Sequence, residues 1–249
     1  MKLIGYKVIE GIINCVTGLR IGGYSNTIEI GGLDNPIIKN PIDEWPYIPG
    51  SSLKGKMRSL LEWDLGVVSS NGDPHSCSDP GCIICRIFGN SEDIKKGPSR
   101  GIFRDAFLTD SSKNDLQKMR ETKGLVYGEI KYENRINRLK GKAEHPRPME
   151  RVPAGTEFEL RIDYRVFDIN DSEGKGDNGK VDENNFQWLL HGLWLLEQDA
   201  LGSSGSRGYG QIRFGIYKDK EFVPGKVLVD GQEEDIRDRY KEVTNQEKR

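Results

Sequence analysis

Residues 156–167 read Thr-Glu-Phe-Glu-Leu-Arg-Ile-Asp-Tyr-Arg-Val-Phe and carry the clearest strand signal in the chain. Apolar side chains from Phe158 to Val166 alternate with charged side chains from Glu157 to Arg165. A period of two is typical of an antiparallel sheet with one buried and one solvated face. This stretch therefore predicts a sheet that is covered on one side.

Two helices and further strands are predicted on either side of this strand. Strands are expected at residues 3–16, 101–108 and 212–216, where β-branched and aromatic residues are frequent. One helix begins after Pro49-Gly50, with Ser51 or Ser52 as its cap, and a second runs from about 183 to 199. The order strand, helix, strands, helix, strand predicts an α+β, ferredoxin-like fold with an antiparallel sheet.

Long polar segments interrupt this core, and a chain of 249 residues still fits a single domain spanning 1–249. Glycine, proline, cysteine or charged residues are dense in each segment, so each is expected to be an insertion. The segments are 18–50, which is extended and irregular, 66–100, 109–152 with a possible hairpin, and 168–182 as a flexible loop. The charged tail from about 229 is expected to be loosely attached.

Composition gives no global sign of a nucleic-acid or membrane protein. The net charge is −2, so any RNA site must be a local basic stripe. No apolar run reaches the roughly 20 residues that span a membrane. The first residues also lack a secretory signal, and we expect a cytoplasmic protein without a membrane partner.

A cluster of nitrogen and sulfur ligands lies in the segment 66–100. His75, Cys77, Cys82 and Cys85 follow the pattern H-x-C-x4-C-x2-C, which matches a closed tetrahedral zinc site. Because no position is left for water, the zinc is expected to be structural. The alternative is three free cysteines and a surface histidine.

Three other segments are candidates for binding phosphate. Ser51, Ser52, Lys54 and Arg58 surround a helix start, although an ordinary amphipathic helix would also explain them. The segment 131–151 has a basic excess that includes Arg138 and Arg147, but such runs are usually solvated faces. The Gly-rich loop 201–210 offers Arg207 and Gly208, yet it lacks the Gly-Lys-Ser/Thr ending of a P-loop. Its glycines would equally serve tight packing between a helix and a strand.

An ordered set of motifs resembles the RAMP superfamily of CRISPR proteins. More closely, it is similar to the repeated backbone subunit of the type III-A (Csm) effector complex. The motifs are Gly-Gly-Leu-Asp-Asn-Pro at 31–36, Tyr-Ile-Pro-Gly-Ser-Ser-Leu-Lys-Gly-Lys-Met-Arg at 47–58, Arg-Ile-Phe-Gly at 86–89, Phe-Arg-Asp-Ala at 103–106, Glu-Asn-Arg-Ile-Asn-Arg at 133–138 and Gly-Ser-Ser-Gly-Ser-Arg-Gly-Tyr-Gly at 202–210.

The resemblance implies an RRM-like core with a lid at 18–50 and a thumb hairpin within 109–152. Copies of the chain would stack along a guide CRISPR RNA beside other subunits of the complex, and each thumb would interrupt the duplex with target RNA. Asp34 falls at the position of the catalytic aspartate, whereas the sequence alone favours a turn residue before Asn-Pro. Cleavage would use Mg²⁺ or another divalent cation, with the ribose 2′-OH attacking the adjacent phosphate.

Two alternatives to this nuclease stay open at this point. One is a scaffold that binds RNA without cutting it, and the other is a repeat-processing nuclease that uses a histidine. One departure from the family concerns Arg20, because many members have histidine there. Arginine keeps an affinity for phosphate but cannot shuttle a proton near neutral pH. We therefore expect Arg20 to bind RNA.

Overall fold

A computed structural model of the chain describes residues 1–23, 36–90, 97–124, 128–169 and 175–237. The following list gives its helices and strands in chain order. They are β1 (Lys2–Cys15), α1 (Gly50–Asp64), α2 (Ile83–Phe88), β2 (Gly101–Phe103), α3 (Asp110–Lys123), β3 (Glu129–Ile136), β4 (Ala143–Arg151), β5 (Glu157–Asp168), α4 (Lys180–Gln198), β6 (Ile212–Lys218), β7 (Glu221–Pro224), β8 (Lys226–Val229) and β9 (Gln232–Asp235). None of the helices within these ranges is long and apolar enough to cross a bilayer.

The main sheet has the topology that the sequence predicts. Its strands run in the order β2-β5-β1-β6-β7, and every pairing is antiparallel. The succession β1-α1-β2-β5-α4-β6 on the order β2-β5-β1-β6 is the ferredoxin-like arrangement. Strand β8 extends the same edge by pairing with Ile9 and Glu10 in the middle of β1, and β9 pairs with β8. The α+β, ferredoxin-like prediction is therefore confirmed.

The hydrophobic core lies between one face of this sheet and helices α1 and α4. The period-two stretch forms β5, and its apolar side chains from Phe158 to Val166 are buried as predicted. Helices α1 and α4 pack their apolar stripes against the sheet. They cover the face of β5 that carries the alternating apolar side chains. The main contributors are Ile9 and Ile13 of β1, Leu53, Met57 and Leu61 of α1, Leu189 and Leu193 of α4, and Ile212 and Phe214 of β6.

Helix α3 is absent from the sequence prediction because its composition is mostly polar. Thr109 caps it by accepting a hydrogen bond from the amide of Ser112 at 3.2 Å. Gly124 ends it in the left-handed conformation with a φ of 64°. Leu116 and Met119 pack the helix against the core. Two apolar residues form too short a stripe for the sequence to indicate a helix.

The start of α1 differs from the predicted serine cap. Pro49 is the N-cap residue, and no side chain of the cap itself bonds the first turn. The carboxylate of Asp105, from the chain that follows β2, accepts the amide of Gly50 at 2.8 Å. The amides of Ser52 and Leu53 turn back to the carbonyl of Pro49. Fewer free N–H groups therefore remain for a phosphate than the sequence suggests.

Helix α4 begins earlier than predicted, which shortens the expected loop 168–182. The Asp177 carboxylate accepts the amides of Ile169, Gly179 and Val181, and this capping starts the helix at Lys180. Hydrogen bonds to these amides lower the pKa of Asp177, although partial burial opposes them. Residues 170–174 lie outside the described part of the chain.

The C-terminal segment is attached more firmly than its charge suggests. Strand β8 fills the sheet edge beside β1, and Ile236 is fully buried in the core. The prediction of a loose tail from 229 is therefore wrong as far as residue 237, because alternation within β8 supplies a buried Val227. Residues 238–249 are outside the described part of the chain.

A buried ionic triad joins α2, the residue that precedes β2, and α4. Asp182 is fully buried and accepts Nε of Arg100 at 3.0 Å with both carboxylate oxygens. It also accepts NH1 of Arg86 at 3.3 Å and the amide of Phe167 at 3.0 Å. The Arg100 guanidinium lies 4.8 Å from the ring centroid of Phe167. The motif Arg-Ile-Phe-Gly at 86–89 thus has a structural role that its sequence does not reveal.

Candidate nucleic-acid interface

The basic run 131–151 forms a two-stranded hairpin of β3 and β4 apart from the main sheet. One side of the hairpin and the Gly-rich loop 201–210 enclose a groove of about 620 Å³, which we call the cationic groove. Five of its ten lining residues are lysine or arginine, so the local charge is strongly positive although the chain carries −2. The lining residues are Lys131, Tyr132, Glu133, Asn134, Arg135, Ile136, Arg138, His145, Arg147 and Arg207.

Several of these side chains are open to solvent and suited to a phosphate backbone. Arg135 and Arg147 are exposed, and within the described ranges neither has an acidic partner. Arg138 is also exposed and donates only to the carbonyl of Ile136, at 2.7 Å. Tyr132 is 65% exposed beside them and offers an aromatic face to a base. Basic side chains interleaved with an aromatic ring are typical of single-strand binding.

The Gly-rich loop is hydrogen-bonded to the segment 18–23. The amide of Ser203 donates to the carbonyl of Arg20 at 2.8 Å, and NH1 of Arg20 donates to the Ser203 hydroxyl at 2.8 Å. Gly210 has a φ of 71°, and a Cβ there would overlap the backbone of Leu201. Glycine is therefore required for packing at this position, as one sequence interpretation held.

Tyr209 fastens this loop to the base of the hairpin. Its buried ring lies between Lys131 Nζ, at 4.5 Å from the centroid, and the Arg151 guanidinium, at 5.0 Å. Burial and then the nearby Glu133 carboxylate raise the pKa of Tyr209 to about 12. Lys131 belongs to β3 and Arg151 to β4, so these cation–π contacts with Tyr209 join both strands of the hairpin to the loop. Residue-type patterns gave no signal for this contact, because it depends on the fold.

The segment that contains Asp34 lies outside the described residues, but the chain on either side of it is defined. The amide of Gly23 donates to the carbonyl of Pro36 at 3.0 Å, and the amide of Ile38 to Ile21 at 2.9 Å. Residues 21–23 and 36–38 thus pair and form a neck. Asp34 is three residues from Ile37, which limits the distance between their Cα atoms to about 11 Å.

The neck is tied to the hairpin by Glu150 of β4. This buried carboxylate accepts the amide of Ile37 at 2.9 Å and Nζ of Lys39 at 2.5 Å. The described residues that flank the segment with Asp34 are therefore connected to the same hairpin that lines the cationic groove.

The start of α1 keeps only part of the phosphate site expected there. Ser51 is exposed, and Ser52 and Lys54 are partly exposed. Partial burial and then the charge of Arg58 lower the pKa of Lys54. Arg58 itself donates to Glu62 at 2.8 Å and to the carbonyl of His75 at 2.6 Å. Its guanidinium thus supports the cysteine-containing segment, which the sequence did not indicate.

The four predicted metal ligands come together as the spacing requires. One donor atom from each of His75, Cys77, Cys82 and Cys85 lies within 4.8 Å of all the others. Cys77 Sγ is 3.8 Å from Cys85 Sγ, and Cys82 Sγ is 3.4 Å from His75 Nε2. The cluster could bind a metal ion such as zinc.

The surroundings of the cluster agree with a metal site. Nδ1 of His75 lies 2.9 Å from the carbonyl of Val67, and donation there leaves the Nε2 lone pair directed at the thiols. The amide of His75 donates to Glu62 at 3.0 Å, and Asn90 donates to the carbonyl of Cys77 at 2.9 Å. Burial raises the pKa of Cys82 to about 12, and a bound cation would favour its thiolate form.

The family model described as "RAMP superfamily" matches residues 12–213 of this chain. The chain belongs to the RAMP superfamily. Among curated RAMP proteins, the "CRISPR system Cms endoribonuclease Csm3" of Methanothermobacter thermautotrophicus is 46% identical over 228 residues, which cover 86% of this chain and 85% of that protein. The protein of the same name from Streptococcus thermophilus is 41% identical, covering 81% and 84%. This chain is therefore a RAMP protein of the Csm3 type.

Solved structures of RAMP proteins show the same likeness. The crystal structure of a Csm3-Csm4 subcomplex in the type III-A CRISPR-Cas interference complex matches with a TM-score of 0.54 and 28% identity. The match covers 98% of both chains. The Methanopyrus kandleri Csm3 crystal structure also gives a TM-score of 0.54, at 25% identity, and covers 90% of this chain and 77% of that one.

Proposed function

We propose that this RAMP protein is a backbone subunit of a type III-A CRISPR effector complex that binds guide RNA and cuts the paired target RNA. Copies of the chain stack along the guide beside other subunits of the complex. The observation that carries the proposal is the cationic groove, because five basic side chains line it on a chain with a net charge of −2. The curated relatives are named endoribonucleases, which supports RNA cleavage as the activity.

RNA would be held chiefly at the hairpin and the Gly-rich loop. Arg138, Arg147 and Arg207 line the groove and Gly208 follows Arg207, while Arg20 is hydrogen-bonded to Ser203 of the same Gly-rich loop. Arginine suits this task because its planar fork pairs two phosphate oxygens at once. Ser51, Ser52 and Lys54 would contact the backbone at a second point. Arg58 is left out of this set because Glu62 and the His75 carbonyl already engage it.

Asp34 is proposed as the catalytic residue. The neck flanks residues 24–35 and is tied to the hairpin by Glu150, which supports a path for RNA in the groove near Asp34. In the proposed reaction the ribose 2′-OH loses its proton and attacks the adjacent phosphorus. The P–O5′ bond breaks, which leaves a 2′,3′-cyclic phosphate and a 5′-hydroxyl. The Asp34 carboxylate would accept the proton or hold a cation.

Two metals are part of the proposal. A structural zinc would be bound by His75, Cys77, Cys82 and Cys85, with no open position for chemistry. A divalent cation such as Mg²⁺ would supply charge stabilisation to the phosphate that is cut.

The second candidate function is an RNA-binding scaffold without cleavage, which the cationic groove would serve equally well. The two functions are separated by reconstituting the complex with guide and matched target RNA. Wild type is expected to cut the target only when magnesium is present. Asp34→Ala is expected to bind guide and target as wild type does and to leave the target intact. Full cleavage by Asp34→Ala overturns the catalytic assignment, and no cleavage by wild type favours the scaffold.

A further inference from the structure

We propose that Glu133 acts as a built-in competitor for RNA phosphate, holding Arg207 in an ion pair that a phosphate must displace. The groove then binds RNA more weakly than its basic residues alone would allow. This inference rests on the proposed function, because it assumes that the cationic groove binds RNA.

The ion pair lies inside the groove. NH1 of Arg207 donates to Oε2 of Glu133 at 2.6 Å. The Arg207 side chain is 65% exposed, whereas the Glu133 side chain is only 15% exposed. Among the described residues that line the groove, Glu133 is the one acid. An incoming phosphate therefore reaches the arginine from solvent while the carboxylate stays recessed behind it.

The surroundings of Glu133 keep it ionised. Partial burial opposes ionisation, but Tyr209, Arg207 and Lys131 together outweigh it and lower the pKa of Glu133. Its backbone partner across the hairpin is Arg147, another groove cation. A carboxylate among so many cations remains a charged acceptor at neutral pH, and it competes with phosphate for the same guanidinium.

The exchange can occur without releasing the loop. Tyr209 is held between Lys131 and Arg151 by contacts that do not involve Arg207, so the Gly-rich loop stays docked when Arg207 changes partner. Gly208 follows Arg207 with a φ of 81° and with open space where a Cβ would lie. The backbone of Arg207 therefore stays in place, and its side chain has two alternative partners, Glu133 and phosphate.

A double-mutant cycle tests the competition. The full-length protein would be titrated against a fluorescein-labelled single-stranded RNA at several salt concentrations, and anisotropy would give Kd. Glu133→Gln is expected to tighten binding about two- to fivefold, the range that one exposed ion pair accounts for. In the Arg207→Gln background, the same change is expected to have a smaller effect, because no ion pair is left to break.

Controls separate competition from general charge. Glu121→Gln makes the same charge change on α3, outside the groove lining, and is expected to leave Kd unchanged. Glu133→Asp keeps the charge on a shorter side chain, so it is expected to tighten binding less than Glu133→Gln. An equal gain with and without Arg207, or no gain from Glu133→Gln, overturns the competition while leaving RNA binding in place. A wild-type protein that shows no salt-dependent RNA binding overturns the proposed function as well.

Discussion

Removing the carboxylate of Asp182 should destabilise the protein more than any surface substitution. In Asp182→Ala, the guanidinium groups of Arg100 and Arg86 lose their acidic partner, although their side chains are only 0% and 6% exposed. Breaking a buried ion pair by deleting one partner costs about 3–5 kcal/mol. The amide of Phe167 also loses its acceptor, which costs about 1–3 kcal/mol for a buried donor.

These costs overlap, so we expect a loss of about 5 kcal/mol in the free energy of unfolding. For a chain of this length, 1 kcal/mol corresponds to about 2–4 °C in Tm. Differential scanning fluorimetry should therefore show a drop of about 10–20 °C, and urea unfolding should give the free energy directly. Asp182→Asn keeps a neutral acceptor and should lie between Asp182→Ala and wild type.

Asp199→Ala is the matched control. Its ion pair with Lys56 has the same 3.0 Å distance, but the side chains are 27% and 40% exposed. An exposed pair contributes about 0–1 kcal/mol. If Asp182→Ala costs no more than Asp199→Ala, the buried triad does not stabilise the fold in the way argued above.

Three further predictions concern the metal cluster, the Gly-rich loop and α1. Cys82→Ser should remove zinc measured by mass spectrometry and lower Tm by at least about 5 °C; unchanged metal content and Tm would contradict the site. Gly210→Ala should weaken RNA binding and stability more than Gly208→Ala, because Gly210 lacks room for a Cβ whereas Gly208 has open space there. At Gly208 the left-handed backbone alone costs about 1 kcal/mol, and equal effects of the two changes in urea unfolding would refute this. Lys54→Gln should reduce the salt slope of RNA binding by about one, whereas Lys56→Gln, whose lysine is paired with Asp199, should change it less.

The sequence predicted the fold well where periodicity is strong. The alternation in β5 and the apolar stripes of α1 and α4 indicate which faces are buried. The order of elements suggested the ferredoxin-like class, but the strand order itself comes from the structure. Helix α3 and strands β7 to β9 were missed because their segments are short or polar. The cap of α1 comes from Asp105, 55 residues away in sequence, and no local pattern can indicate such a partner.

The candidate site was predictable where its residues are close together in sequence. The four metal ligands lie within eleven residues of sequence, so their spacing alone brought them together. The role of Arg58 depends on Glu62 and on the His75 carbonyl, and the clamp on Tyr209 depends on Lys131 and Arg151 of the hairpin. Such contacts between distant segments are settled by tertiary packing, and a residue pattern does not show them.

The central claim is that the hairpin groove holds RNA while Asp34 faces one linkage of the target strand. A cryo-electron microscopy structure of the assembled complex, with target RNA blocked by a 2′-deoxyribose at the cut site, tests it most directly. We expect phosphates against Arg147 and Arg207, and the Asp34 carboxylate beside the sugar of the blocked linkage. A carboxylate turned into its own loop, with RNA running outside the groove, would contradict the account.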